Sequence, residues 1–132
     1  MEDQTEAVAR AYLDACNADD LDAILELLDP EVEMHEASEL PGAVTAVGFD
    51  AVRRYFERFD THWSSFTWEP LEWQISGDRA LCRARLKLTG RKSGIDVDRE
   101  WIYVFTVRDG KLLRQDGFDD MPAAIEALEG PK

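Results

Sequence analysis

Chemistry in this chain is easiest to place at Glu33-Met34-His35-Glu36, where a histidine stands among acids in a short alternating stretch. Histidine is the side chain whose unperturbed pKa lies nearest neutrality, so His35 is a candidate to remove a proton next to a carbonyl. Further along, Tyr103, Arg114 and Asp116 interrupt strands that are otherwise apolar on one face. Asp116 is a candidate to orient His35, or to act as the base itself where burial raises its pKa. Two readings fit the polar trio. It is either an Arg114–Asp116 pair satisfied by water at the open end of a sheet, or the polar floor of an apolar cavity. The second gains from Glu33 and His35, which break the apolar pattern of another strand. The chemistry such a floor supports is proton transfer: isomerisation, aldol-type cyclisation or dehydration of a small carbonyl compound. No metal-ligand spacing and no dinucleotide or phosphate loop occurs, so neither metal nor cofactor is expected.

The elements that must hold these residues follow from periodicity. Val8, Ala11, Tyr12 and Ala15 recur at helical spacing and predict a helix over about 3–17. Asp19 or Asp20 then caps a second helix carrying Leu21, Ile24, Leu25 and Leu28, which Asp29-Pro30 ends. Glu31 to Glu36 reads as a strand, with Val32 and Met34 pointing one way and Glu33 and His35 the other. Residues 37–47 read as a loop. Val52, Tyr55, Phe56, Phe59 and Trp63 give a third helix an aromatic face, assigning Phe56 and Trp63 to the core and to a cavity wall. Strands follow at about 66–75, 79–90, 96–108 and 111–118, then a helix after Asp120. Helices followed by a meander make an α+β fold, with a curved, mostly antiparallel sheet wrapped around the first helices. One domain spans 1–132.

Asp109-Gly110 is a strong hairpin turn and sets the register beside it. Pairing Arg108 with Lys111 puts Val107 opposite Leu112, Phe105 opposite Arg114, Tyr103 opposite Asp116, and Trp101 opposite Phe118. That face is expected to look toward the helices, making Trp101, Phe105, Arg114 and Phe118, with Glu33, candidates to touch a ligand. On the outer face Arg83, Arg85 and Lys87 meet Asp98 and Glu100. Ile102 and Val104, set in that charged field, imply a homodimer contact.

The totals narrow the partners. The formal charge of −13, from 28 acids against 15 bases, argues against nucleic acid, which needs a cationic surplus, and against an anionic membrane surface. Four Trp, three Tyr and six Phe are enough to line a cavity and fill a core. Cys16 and Cys82 read as small core residues. The acidic start Met1-Glu2-Asp3 has no signal-peptide character and no apolar run reaches spanning length, so a cytoplasmic location is expected.

The stretch from Asn17 to His35, with its helix, Asp-Pro and first strand, resembles the opening of SnoaL-like proteins of the nuclear-transport-factor-2-like superfamily. Gly48-Phe-Asp-Ala-Val-Arg-Arg-Tyr-Phe resembles their third helix, and Val104 to Arg114 with Phe118-Asp-Asp their closing hairpin. The resemblance implies a cone-shaped fold enclosing a pocket for a small, largely apolar organic molecule. It leaves function open, since this fold hosts isomerases, cyclases, hydrolases and non-catalytic binding proteins. Ketosteroid isomerases carry a carboxylate base at the end of the first strand, where His35 stands. Their first helix supplies a tyrosine to the developing oxyanion, matched by Tyr12, and their second donor is replaced by Tyr103. SnoaL-type cyclases use an acid on the last strand, for which Asp116 is the nearest candidate. The resemblance therefore implies a cofactor-independent acid–base enzyme; the alternative is a ligand-binding or scaffolding dimer with the same pocket.

Overall fold

Asp20 starts the second helix by accepting the Ala23 N–H at 3.1 Å, and Asp120 starts the last one by accepting the Ala123 N–H at 2.8 Å. Each satisfies one of the donors that a helix leaves unpaired at its first turn. A computed structural model describes residues 2–36, 45–58 and 63–130. The elements are α1 (Glu2–Asn17), α2 (Leu21–Glu26), β1 (Leu28–His35), β2 (Thr45–Val47), α3 (Phe49–Glu57), β3 (Trp63–Ser76), β4 (Arg79–Gly90), β5 (Asp96–Arg108), β6 (Lys111–Phe118) and α4 (Met121–Glu129). Leu28, expected on the second helix, instead opens β1, because that helix stops at its Leu27 cap. Trp63, expected at the end of the third helix, opens β3, and the expected loop over 37–47 ends in the short strand β2. Phe59 lies outside the described residues.

The strands form one curved, unclosed sheet in the order β2-β1-β6-β5-β4-β3. All neighbours are antiparallel except β1 with β6. The inner face packs on the first three helices through a core that includes Tyr12, Leu13, Met34, Val52, Trp68, Leu86, Trp101 and Phe105. On the outer face Arg83 reaches Glu72 and Glu100, and Arg85 grips Asp98 with two bonds of 2.7 and 2.9 Å. This ladder follows the expected pairing. Ile102 and Val104 do not stand exposed within it: α4 covers them together with Leu81 through Ala124 and Leu128. The apolar pair that implied a dimer contact is thus buried by the chain's own last helix.

At the Asp109-Gly110 turn both φ angles are positive, 52° and 77°, as a type I′ hairpin requires. Arg108 pairs Lys111 and Val107 pairs Leu112, as expected. Beyond them the register slips. Leu113 is an extra residue in β6, so Thr106 faces Arg114, Phe105 faces Gln115, Val104 faces Asp116 and Ile102 faces Phe118. A β-bulge turns every following side chain over. Arg114, Asp116 and Phe118, expected inside, therefore point outward, and Gln115 takes the inner place. The energetics favour this arrangement. Two charges on the inner face would each lose several kcal/mol of solvation, whereas one amide with a hydrogen-bond partner loses little.

Two further ties fix the frame. Asn17, the last residue of α1, donates from Nδ2 to the Trp68 carbonyl and accepts the Trp68 N–H at Oδ1, both at 2.8 Å. Since β3 is an edge strand, this side chain stands in for a missing neighbour. Asp29, buried at the start of β1, accepts Arg108 Nη2 at 2.8 Å and Nε at 3.2 Å, joining β1 to β5 across β6. No helix among the described residues is long and apolar enough to cross a membrane.

Candidate functional site

Between the inner face and the helices lies a cavity that opens to solvent. α1 contributes Tyr12 and Cys16, the turn after it Asp19, and α3 Tyr55 and Phe56. The sheet adds Met34 and Glu36 at the end of β1, Trp63, Phe66 and Trp68 from β3, Leu86 and Leu88 from β4, Tyr103 from β5 and Gln115 from β6. Edge-to-face contacts organise the aromatic wall: the Tyr12 ring lies 5.9 Å from Trp68 and 6.4 Å from Phe56, and Trp68 lies 4.6 Å from Tyr103.

The polar groups of this wall form two sets. Buried Tyr12 donates its hydroxyl to Gln115 Oε1 at 2.7 Å, which assigns the amide's orientation and leaves its NH₂ as a donor. In the second set the Tyr55 hydroxyl is hydrogen-bonded to the Glu36 side chain. Tyr103, 4% exposed, makes no hydroxyl hydrogen bond to a described residue, and the Trp68 indole N–H likewise has no partner among them. Burial raises the hydroxyl pKa of Tyr12, Tyr55 and Tyr103, and the Glu36 carboxylate raises all three further. All three therefore stay protonated as donors across the physiological range. Burial also pushes the Cys16 thiol up to about 12, against a lowering by its bond to Tyr12, so it stays neutral. Among the described residues no group of three or more His, Cys, Asp or Glu side chains is placed to hold a metal ion.

The residues singled out from the sequence separate into three places. Tyr12, Tyr103, Phe56 and Trp63 line the cavity. Trp101 and Phe105 share the inner face but sit in the core beside it, 1% and 0% exposed. His35, Glu33, Arg114 and Asp116 gather on the opposite face. There His35 Nε2 lies 2.9 Å from Glu33 Oε1, Arg114 Nη1 lies 3.8 Å from the same oxygen, and Arg114 Nε meets Asp116 Oδ2 at 2.8 Å. Phe118 is on that face as well, against α4. The cause is alternation. Met34 points inward, so its neighbours Glu33 and His35 point outward, and the bulge at Leu113 turns Arg114 and Asp116 to join them. The same alternation carries Val32 and Met34 inward and continues to Glu36, a signal present in the sequence. Gln115 had no such signal, because nothing in a Leu-Leu-Arg run announces a bulge.

Comparison with known proteins agrees with this fold. No curated protein matches the chain significantly. Among solved structures, a proposed polyketide cyclase from Sinorhizobium meliloti is 28% identical, covering 85% of this chain and 94% of its own, with a TM-score of 0.68. TerC, solved with polyporic acid, is 21% identical over 96% of this chain and 99% of its own, with a TM-score of 0.76. A Catenulispora acidiphila protein of ketosteroid-isomerase-like fold, in complex with trimethylamine, is 10% identical over 94% and 93%, with a TM-score of 0.74. The SnoaL-like domain family matches residues 9–115, the span that supplies every described residue of the cavity wall, and the chain belongs to that family.

Proposed function

We propose that this protein is a cofactor-independent acid–base catalyst acting on a small, largely apolar carbonyl compound, with Glu36 as the proton acceptor. One observation carries the reading: a carboxylate at the cavity, held by a tyrosine hydroxyl, faces an aromatic chamber that offers the neutral donors Tyr103 and Gln115. In the step proposed, the Glu36 carboxylate takes a proton from the carbon next to the carbonyl. The electron pair moves onto the oxygen, where the Tyr103 hydroxyl and the Gln115 NH₂ receive the developing charge. Protonated Glu36 then returns the proton to another carbon, completing an isomerisation without any co-reactant. Tyr12 acts through Gln115 as a positioning residue, and Phe56, Trp63 and Trp68 exclude water from the enolate. The role expected of His35 passes to the next residue in the chain. The family and the cyclase-like relative support this chemistry, and the small ligands bound by TerC and the Catenulispora protein support a binding cavity.

The test is exchange of ketone α-protons with deuterated solvent, followed by NMR, for wild type, Glu36→Gln and His35→Ala. Glu36→Gln is expected to lose about 100-fold or more while ligands still raise its Tm. His35→Ala is expected to exchange as wild type does. Ligands that bind wild type without accelerated exchange would replace catalysis by the binding reading.

A further inference from the structure

The described wall of the cavity carries two acids, Asp19 and Glu36, and no Lys, Arg or His, in a chain that has fifteen Lys and Arg. The cations are deployed elsewhere. Arg83 and Arg85 project into the outer ladder, and the bulge at Leu113 sends Arg114 outward to Asp116. Arg10 lies 4.9 Å from the Trp73 ring centre. The cavity instead presents the rings of Trp63, Phe66, Trp68 and Tyr103, whose π faces are negative. An anionic ligand would lose its water against two carboxylates, and a neutral one would gain nothing from them. A cation gains from both acids and from the rings.

We propose that the molecule this cavity takes carries a positively charged nitrogen, so that the substrate class is a small cationic carbonyl compound. The proposal rests on the acid–base reading above and narrows it. Glu36 faces the reacting carbon, while the ammonium lies on the ring of Trp63 toward Asp19 at the rim. The positive nitrogen also makes the neighbouring C–H more acidic, which serves the same step. The field of Glu36 already reaches Tyr12, Tyr55 and Tyr103, so its charge is felt throughout the chamber.

Three ketones of matched shape test it by calorimetry at low salt: phenacyltrimethylammonium, its uncharged carbon isostere neopentyl phenyl ketone, and the anion benzoylpropionate. The cation is expected to bind roughly tenfold or more tighter than the isostere, and the anion weakest. Asp19→Asn, which suits the left-handed backbone at this position (φ 54°), is expected to shrink that preference without lowering Tm by more than a degree or so. Equal or tighter binding of the isostere overturns the charge preference, as does a preference unchanged in both Asp19→Asn and Trp63→Leu. Exchange of the isostere's α-protons by wild type, absent in Glu36→Gln, tests the acid–base reading separately. Exchange with no charge preference sinks this proposal alone, and failure of all three ketones to bind sinks both.

Discussion

Two acids seven residues apart, Asp29 and Glu36, show what placement does to a carboxylate. Burial alone would raise the pKa of Asp29, but hydrogen bonds from Arg108 and from the Glu31 N–H outweigh it and hold the carboxyl below its usual range. A depressed folded-state pKa adds stability in full above the unfolded value near ~4, and the contribution disappears as pH falls through the folded value. Asp29→Asn should accordingly lower unfolding stability by about 1–3 kcal/mol at neutral pH. Urea titrations of the two proteins should converge as the solution is made acid enough to protonate Asp29, and a gap independent of pH would remove the ion pair from the account. Glu36 has a different setting, hydrogen-bonded by the neutral hydroxyl of Tyr55. Tyr55→Phe is expected to keep the fold, since the ring still packs on Phe56, and to slow α-proton exchange by about tenfold through loss of that hydroxyl. Unchanged exchange would make the hydroxyl a bystander.

At the scale of elements, legibility followed the range of the signals. The bounds of β4, β5 and β6 agree with alternation and turn residues, because Asp109-Gly110 and Gly77-Asp78 act on their immediate neighbours. The family's fold was also legible, from motifs running through most of the chain. The site was legible only in part. Tyr103 was found as a polar group on an apolar face and Tyr12 through the family resemblance, but His35 was read toward the cavity that Glu36 lines and the hairpin was read without its bulge. Both misses come from a two-residue period, in which a shift of one reverses inside and outside. Asn17 was also beyond reach, since its partner Trp68 lies 51 residues away and is met only in the fold. Asn17→Ala leaves the Trp68 N–H and C=O open on the edge strand and should cost about 1–3 kcal/mol where water does not replace it. Asn17→Asp keeps the acceptor for the N–H, loses the donor to the carbonyl, and should fall between. Thermal unfolding of the three proteins checks that order, and equal Tm values would deny the edge any benefit from the clamp.

For the whole molecule, a formal charge of −13 on 132 residues means that like charges crowd as the chain folds. The outer ladder offsets part of this, although its pairs are exposed and individually weak. Sodium chloride should therefore raise Tm from low salt to about physiological strength, where the screening length shortens to about 8 Å. A falling Tm would show that the ion pairs outweigh the repulsion. The bulge at Leu113 carries a different kind of consequence. Its presence decides whether an ion pair or an amide faces the cavity, and because Leu113 is the surplus residue, loss of its codon would leave Arg114 opposite Thr106 and Gln115 opposite Phe105, keeping the same interior. In a scaffold built this way, a length change can be absorbed within the strand where it arises, and the chemistry of the chamber is inherited unaltered.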